Sequence, residues 1–280
     1  MVNGGIILIK LLILGPTGSM GKLISKLALE DNEIEVVAAC DIDNIGDELG
    51  SLVGVKDPNK VTISDVNNLQ DIITKVKPDV AVDFTIAKAA EKNCLICVKN
   101  AIKCVIGTTA LSKDFLEEFE KLVTENKAPA VISSNMATGV NIFFKMAGIL
   151  AEYLADWDIE VIEAHHHRKA DAPSGTAMTI GRAIAKAIGG DFDKLAKFGR
   201  DKGPNKREVG AKSEIGVHAI RAGDIVGDHV VLYAGPGERI ELKHQAHSRN
   251  CFATGSITAI KFLAKASENK IYTTQEVLNL

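Results

Sequence analysis

From Ile7 to Leu14 the chain is apolar with one interruption at Lys10, and it breaks at Gly15-Pro16-Thr17. A short apolar run bounded by turn residues predicts a strand buried on both faces. Lys22–Glu30 then returns apolar side chains at helical spacing, so a strand, a glycine turn and a helix follow in order. Glu35–Cys40 and Asp79–Phe84 predict further strands, the latter behind Pro78, which cannot continue a helix. Ala87–Asn100 predicts a helix and Cys104–Ile106 a strand ending at Gly107. Ser112–Asn126 predicts a helix with Ser112 as N-cap and Asp114 and Glu117 in its first turns. Pro129–Ser133 predicts one more strand. Doubly apolar strands alternating with helices predict a Rossmann-type, doubly wound parallel α/β sheet.

The second half has another rhythm. Gly139–Ala155 predicts a long apolar helix, Asp158–Glu163 a strand running into a histidine cluster, and Thr176–Ile188 a helix. Between Glu214 and Gln245 the segments EIGVHAIRAG, DHVVLYA and ERIELKHQ are separated by Gly-Asp and Gly-Pro-Gly turns. Closely spaced runs of this kind predict an antiparallel or mixed sheet, hence an α+β second domain. The polar stretch Lys197–Lys212 predicts a loop. A last helix over Cys251–Ser267, with small residues through its middle, is expected to pack back on the first domain.

Length and charge narrow the function. At 280 residues the chain suits about two domains of ~100–200 residues each. A net charge of -3, from 33 basic and 36 acidic side chains, leaves no global basic excess for nucleic acid and favours a small molecule. Five cysteines at no framework spacing argue for a reducing compartment. Cys94 and Cys97 form a CxxC pattern, open to a metal or redox role. No second CxxC or His pair follows at ligand spacing, and an apolar helical setting favours buried structural thiols. The N-terminal apolar run lacks a cleavage pattern and is shorter than the ~20 residues that span a bilayer, so a cytoplasmic protein without membrane attachment is expected.

Two segments carry chemistry. Gly15-Pro16-Thr17-Gly18-Ser19-Met20-Gly21 sits between the first strand and the first helix, where glycines let the backbone approach a pyrophosphate. Its spacing is GxxGxxG, with Thr17 in the place of the usual second glycine. The next strand ends at Asp41, 20 residues after Gly21, where a carboxylate can accept bonds from the adenosine ribose. The expected cofactor is NADH, NADPH or both. The residues after Asp41 are Ile42, Asp43 and Asn44, which supply no cation for a 2′-phosphate, so NADH is at least competitive.

The second segment is EAHHHRKADAPSGTA, from Glu163 to Ala177. Neighbouring histidines on an extended chain point to alternate faces and rarely converge on one metal, so no metal is expected. A solvated basic loop is the plain alternative. Ser174-Gly175-Thr176 at a helix start offers N–H groups, a hydroxyl and close access to an anion, and His or Lys beside it can bind a carboxylate and donate protons.

This segment resembles the signature of the dihydrodipicolinate reductase family. Matching segments follow in order: GPTGSMG at 15–21, VDFT at 82–85, Gly107-Thr108-Thr109, Ser133-Ser134-Asn135-Met136 and RAGDIVGDH at 221–229. The resemblance runs from about Leu11 to Leu278. It implies that His165 is the acid/base group, Lys169 the proton donor, and His166, Gly175 and Thr176 substrate ligands. Gly15, Pro16, Thr17, Gly18, Ser19 and Met20, with Asp41, Gly107 to Thr109 and Ser133 to Met136, would line the dinucleotide. It further implies NAD(P)H-dependent reduction of 4-hydroxy-tetrahydrodipicolinate with loss of water, on the diaminopimelate route to lysine, in a homotetramer. The expected organisation is a dinucleotide-binding domain over 1–137, a substrate-binding and oligomerisation domain over 138–248, and a returning segment over 249–280. Ile42 departs from members that carry a cation there, and His167 has no role in the pattern. Two rivals share the nucleotide half: a dehydrogenase of aspartate or an amino-acid semialdehyde, and a redox-sensing binding protein without turnover.

Overall fold

The computed structural model describes residues 8–208 and 214–280; Ile7 of the first predicted strand and residues 209–212 of the predicted loop lie outside them. The elements run β1 (Ile9–Leu14), α1 (Ser19–Glu30), β2 (Ile34–Asp41), α2 (Leu49–Val53), β3 (Ile63–Asp65), α3 (Leu69–Val76), β4 (Val80–Asp83), α4 (Ala87–Lys99), β5 (Lys103–Ile106), α5 (Lys113–Glu125) and β6 (Ala130–Ile132). They continue through α6 (Thr138–Tyr153), β7 (Asp158–His165), α7 (Gly175–Ala187), α8 (Phe192–Leu195), β8 (Ala196–Phe198), β9 (Ile215–Arg221), β10 (Gly227–Gly235) and β11 (Glu238–Ala246). The chain closes with α9 (Asn250–Lys265), β12 (Ile271–Tyr272) and α10 (Thr274–Val277). Met1–Ala137 with Asn250–Leu280 form one compact unit, and Thr138–Arg249 the other.

The first unit is a parallel sheet in the order β12-β6-β5-β4-β1-β2-β3. Its strands are buried on both faces because their alternate side chains serve two cores. Leu11 and Ile13 of β1 pack with α1 and α9, while Leu12 and Leu14 join the cluster containing Cys94, Cys97 and Phe119. Cys40, Cys94, Cys97 and Cys104 all lie in that second core, where burial pushes the Cys40 thiol up to about 12. Between Asn44 and Lys77, where no element was expected, the chain forms α2, β3 and α3. Their runs are too short to declare themselves, and pairing with β2 decides β3.

Helix α9 lies against the sheet and α1 within this unit. It comes so near the end of the β6 segment that a Cβ on Gly255 would stand 1.7 Å from the Met136 carbonyl oxygen. The Lys103 ammonium closes its far end on the carbonyls of Leu263 and Ala264, at 2.9 and 2.8 Å.

The second unit has the strand order β11-β10-β7-β9-β8. It is a mixed sheet. β10 runs antiparallel to β7 and β11, but β9, one of the three runs read as a closely spaced β series, is parallel to β7 and β8. The chain crosses through α7 and α8 between β7 and β8 and crosses back between β8 and β9, so the three strands share a direction. The stretch predicted as a loop from Lys197 follows the start of β8, and its Arg200 and Arg207 pair with Glu160 and Glu214. Strand β7 reaches His165, two residues beyond its predicted end, with Ile159, Val161, Glu163 and His165 on its buried face.

Gly255 provides a test of the α9 contact. Gly255→Ala should force α9 off the Met136 backbone and cost about 1–3 kcal/mol, the usual range for overpacking. Thermal unfolding that leaves the midpoint unchanged would show that the segment yields without strain.

Candidate active site

Period-two alternation on β7 places Glu163 and His165 on one face. Glu163 is wholly buried. One carboxylate oxygen accepts from His165 Nδ1 at 2.5 Å and from Arg221 Nη1 at 2.9 Å. The other accepts from Arg221 Nη2 at 2.9 Å and from the Ser174 backbone N–H at 3.0 Å. Burial opposes its charged form, yet Arg221, His165 and the Ser174 N–H outweigh that and hold the carboxyl below its ordinary value. Register explains the meeting: Arg221 on β9 lies opposite His165, and His229 on β10 lies opposite Glu163.

The loop from His166 to Pro173 is tied down at several points. The His167 N–H bonds the Gly223 carbonyl at 3.2 Å, and Arg221 Nη2 donates to the Asp171 carbonyl at 2.6 Å. Lys169 Nζ sits on the Asp171 carboxylate at 2.7 and 2.9 Å, and this bond draws the Asp171 carboxyl below its usual value. Ser174 caps α7 by accepting from the Ala177 N–H at 3.2 Å. The same hydroxyl is hydrogen-bonded to His229 Nε2 at 3.2 Å. His229 packs edge-on to His165, with ring centroids 5.2 Å apart.

His165, Lys169 and the 174–176 helix start thus share one hydrogen-bonded frame through Glu163, Arg221 and Asp171. For His166, burial and the neighbouring Arg168, His165, Arg249 and Lys169 lower the pKa. Gly175 is exposed, and a Cβ there would meet nothing within 4 Å, so the approach to the helix start is open. Glu163, Arg221 and His229 received no role from the motifs, although Glu163 opens one quoted segment and Arg221 and His229 bound another. Their strand pairing was the missing information.

In the first unit, Gly15 adopts φ +77°, and a Cβ on Gly21 would lie 1.9 Å from the Gly15 carbonyl oxygen. Helix α1 follows Gly18 as N-cap, with no side-chain cap and no acidic residue in its first turn. Its leading N–H groups therefore suit a phosphate, and a cradle that side chains would fill fits a dinucleotide. Asp41 ends β2 and accepts the Thr17 N–H at 3.0 Å and hydroxyl at 2.7 Å. A cavity of about 320 Å³ beside this turn is lined by Gly15, Thr17, Gly18, Asp41, Ile42 and Thr85 among others, and none of its lining residues is Lys or Arg.

Gly107 follows β5, and the Thr108 hydroxyl reaches buried Asp83 at 3.0 Å and the Thr85 carbonyl at 3.1 Å. Thr109 is exposed. Ser133 and Asn135 turn the chain after β6, Ser134 is exposed and Met136 is buried. Pro16 is buried, Ser19 is exposed and Met20 half-buried at the start of α1. These segments share the C-terminal edge of the parallel sheet, where ligands of such folds bind. The role of Asp83 in bracing Thr85 and Thr108 was not legible from the motif VDFT alone.

Comparison with known proteins covers the whole frame. The family models for dihydrodipicolinate reductase, N-terminus and C-terminus, match residues 9–136 and 139–278. The 4-hydroxy-tetrahydrodipicolinate reductase of Methanocaldococcus jannaschii is 44% identical over 276 residues, 98% of either chain. That of Methanosphaera stadtmanae is 41% identical, over 98% of this chain and 100% of its own. Among solved structures, a dipicolinate-bound dihydrodipicolinate reductase from Paenisporosarcina sp. TG-14 superposes with a TM-score of 0.76 at 27% identity, over 96% of this chain and 98% of its own.

His229 has a measurable consequence. Burial, with His165 nearby, lowers its pKa from the ordinary value to about 4. Between pH 4 and ~6.5 the unfolded chain then binds a proton that the folded chain does not, so stability rises with pH. The contribution is complete above ~6.5 and is lost as pH falls toward 4. Urea unfolding should show the wild type losing about 2 kcal/mol more than His229→Gln between pH 7 and pH 5. Equal losses would mean that His229 is already charged when folded.

Proposed function

The chain belongs to the dihydrodipicolinate reductase family, and on that premise we propose how its own residues carry out the reaction. It reduces 4-hydroxy-tetrahydrodipicolinate to tetrahydrodipicolinate, with loss of water, at the expense of a reduced nicotinamide dinucleotide in the diaminopimelate route to lysine. The observation that carries the residue assignment is the single frame uniting His165, Lys169 and the start of α7.

A bound dinucleotide would supply the hydride. Gly15 to Met20 would hold its pyrophosphate at the start of α1, Asp41 would take the ribose, and Gly107 to Thr109 with Ser133 to Met136 would line the rest of its site. The Gly175 and Thr176 backbone and His166 hold a substrate carboxylate at the positive end of α7. His165 moves a proton through Nε2, and Lys169, held in place by its ion pair with Asp171, donates one from Nζ. A sensor without turnover has no use for this pair of proton carriers.

The assembly is a homotetramer of a cytoplasmic enzyme. Both α6 and α7 pack on one face of the second sheet. The other face presents Ile162, Ile220, Val230 and Leu232 on neighbouring strands, an apolar surface suited to a second copy. No helix among the described residues is long and apolar enough to cross a membrane. For the cofactor, Asp41 and Asp43 without a cation favour NADH at least as strongly as NADPH.

Two measurements follow. With the product of the preceding synthase as substrate, His165→Ala and Lys169→Ala should each lower kcat roughly 10²–10⁴-fold while dinucleotide affinity stays unchanged. Near-normal kcat in either variant would remove that residue from the mechanism. The second concerns the ribose: Ile42→Arg should shift preference toward NADPH about tenfold, or ~1.4 kcal/mol. Much tighter NADPH binding by the wild type would place a cation from another segment over the ribose.

A further inference from the structure

Glu163 carries no part of the reaction as assigned above, yet each of its two buried oxygens accepts from two donors. An ionised carboxylate can only accept, so the 2.5 Å contact requires His165 to carry its hydrogen on Nδ1. Nε2 is then the ring nitrogen left for substrate. A Cβ on Gly227 would lie 3.1 Å from that nitrogen, so the glycine keeps its surroundings clear. Arg221 does more than balance charge. It grips both oxygens of Glu163 and also the carbonyls of Asp171 and Ile220, at 2.6 and 2.7 Å.

We propose that Glu163 and Arg221 are a coupled positioning pair for His165: Glu163 fixes the Nδ1–H tautomer and supports a positively charged ring, and Arg221 restrains that support. The inference rests on His165 as the acid/base group. Among the described residues, the other titratable groups beside the ring are His229 from β10, which burial keeps neutral, and His166 from the adjoining loop, itself near Lys169. Two oxygens shared between an arginine fork and an imidazole give the pair opposite effects. Loss of Glu163 removes a negative charge beside the ring, and loss of Arg221 leaves that charge unbalanced. A role in packing alone predicts no such opposition.

The test uses the full-length enzyme. Histidine-selective ¹⁵N labelling of the wild type, with His165→Gln to assign the resonance, should show neutral His165 protonated at Nδ1. Protonation at Nε2 would overturn the proposal without any variant having to fold. In the pH profile of kcat/KM, the limb reporting the proton donor should move by about one unit to lower pH in Glu163→Gln and to higher pH in Arg221→Met. Glu163→Gln should lose roughly 10²-fold in kcat with the KM for NADH unchanged, and should lose nothing further when added to His165→Gln. Shifts of the same sign, or additive losses in the double variant, would reduce the pair to a structural role. Undiminished kcat in His165→Gln itself would instead remove the acid/base assignment, and the labelled spectrum would still decide the tautomer.

Discussion

A carboxylate without exposed surface must be neutral or surrounded by donors, because desolvating a lone charge costs far more than one contact returns. Glu163 meets that constraint with donors from three elements: His165 on its own strand, Arg221 on β9 and the Ser174 N–H at the head of α7. Each donor belongs to a segment with other work. His165 ends β7, Arg221 also holds the loop bearing Lys169, and Ser174 caps α7. Removing one donor would leave a buried charge short of a partner, commonly at a cost of about 3–5 kcal/mol. The geometry of the site is therefore a by-product of satisfying one ion.

The nucleotide unit works by the opposite principle. Its site is defined by what is missing: side chains at Gly15 and Gly21, and a cap on α1. The contact of Asp41 with Thr17 ties the acceptor at the end of β2 to the turn after β1. That bond gives a reason for Thr17 where a glycine is usual. The threonine hydroxyl and N–H hold the carboxylate in place. A preorganised carboxylate next to exposed Ile42 and Asp43 also sets the charge that a 2′-phosphate would meet.

Most of the fold was legible because its strongest elements announce themselves locally. The doubly apolar β1, the amphipathic α5 and the Ser112 and Ser174 caps are properties of short windows, and they fold as written. Elements that depend on a partner were not legible. Strand β3 has three residues and exists through pairing with β2, and β8 exists through pairing with β9. The direction of β9 was hidden for the same reason, since strand direction belongs to the crossover and not to the strand.

Taken alone, the amino-acid order determined the alternating sheet, the glycine turn, the acid at the end of β2 and the basic loop before a capped helix. These follow from hydrophobic period, backbone freedom and capping, all of which act over a few residues. The tertiary structure decided which groups share a charge. Arg221 is 58 residues from Glu163, and His229 is 55 from Ser174, so only strand register could bring them together. Electrostatic interactions are set by distance in space and by local desolvation, and neither quantity exists until the sheet is paired.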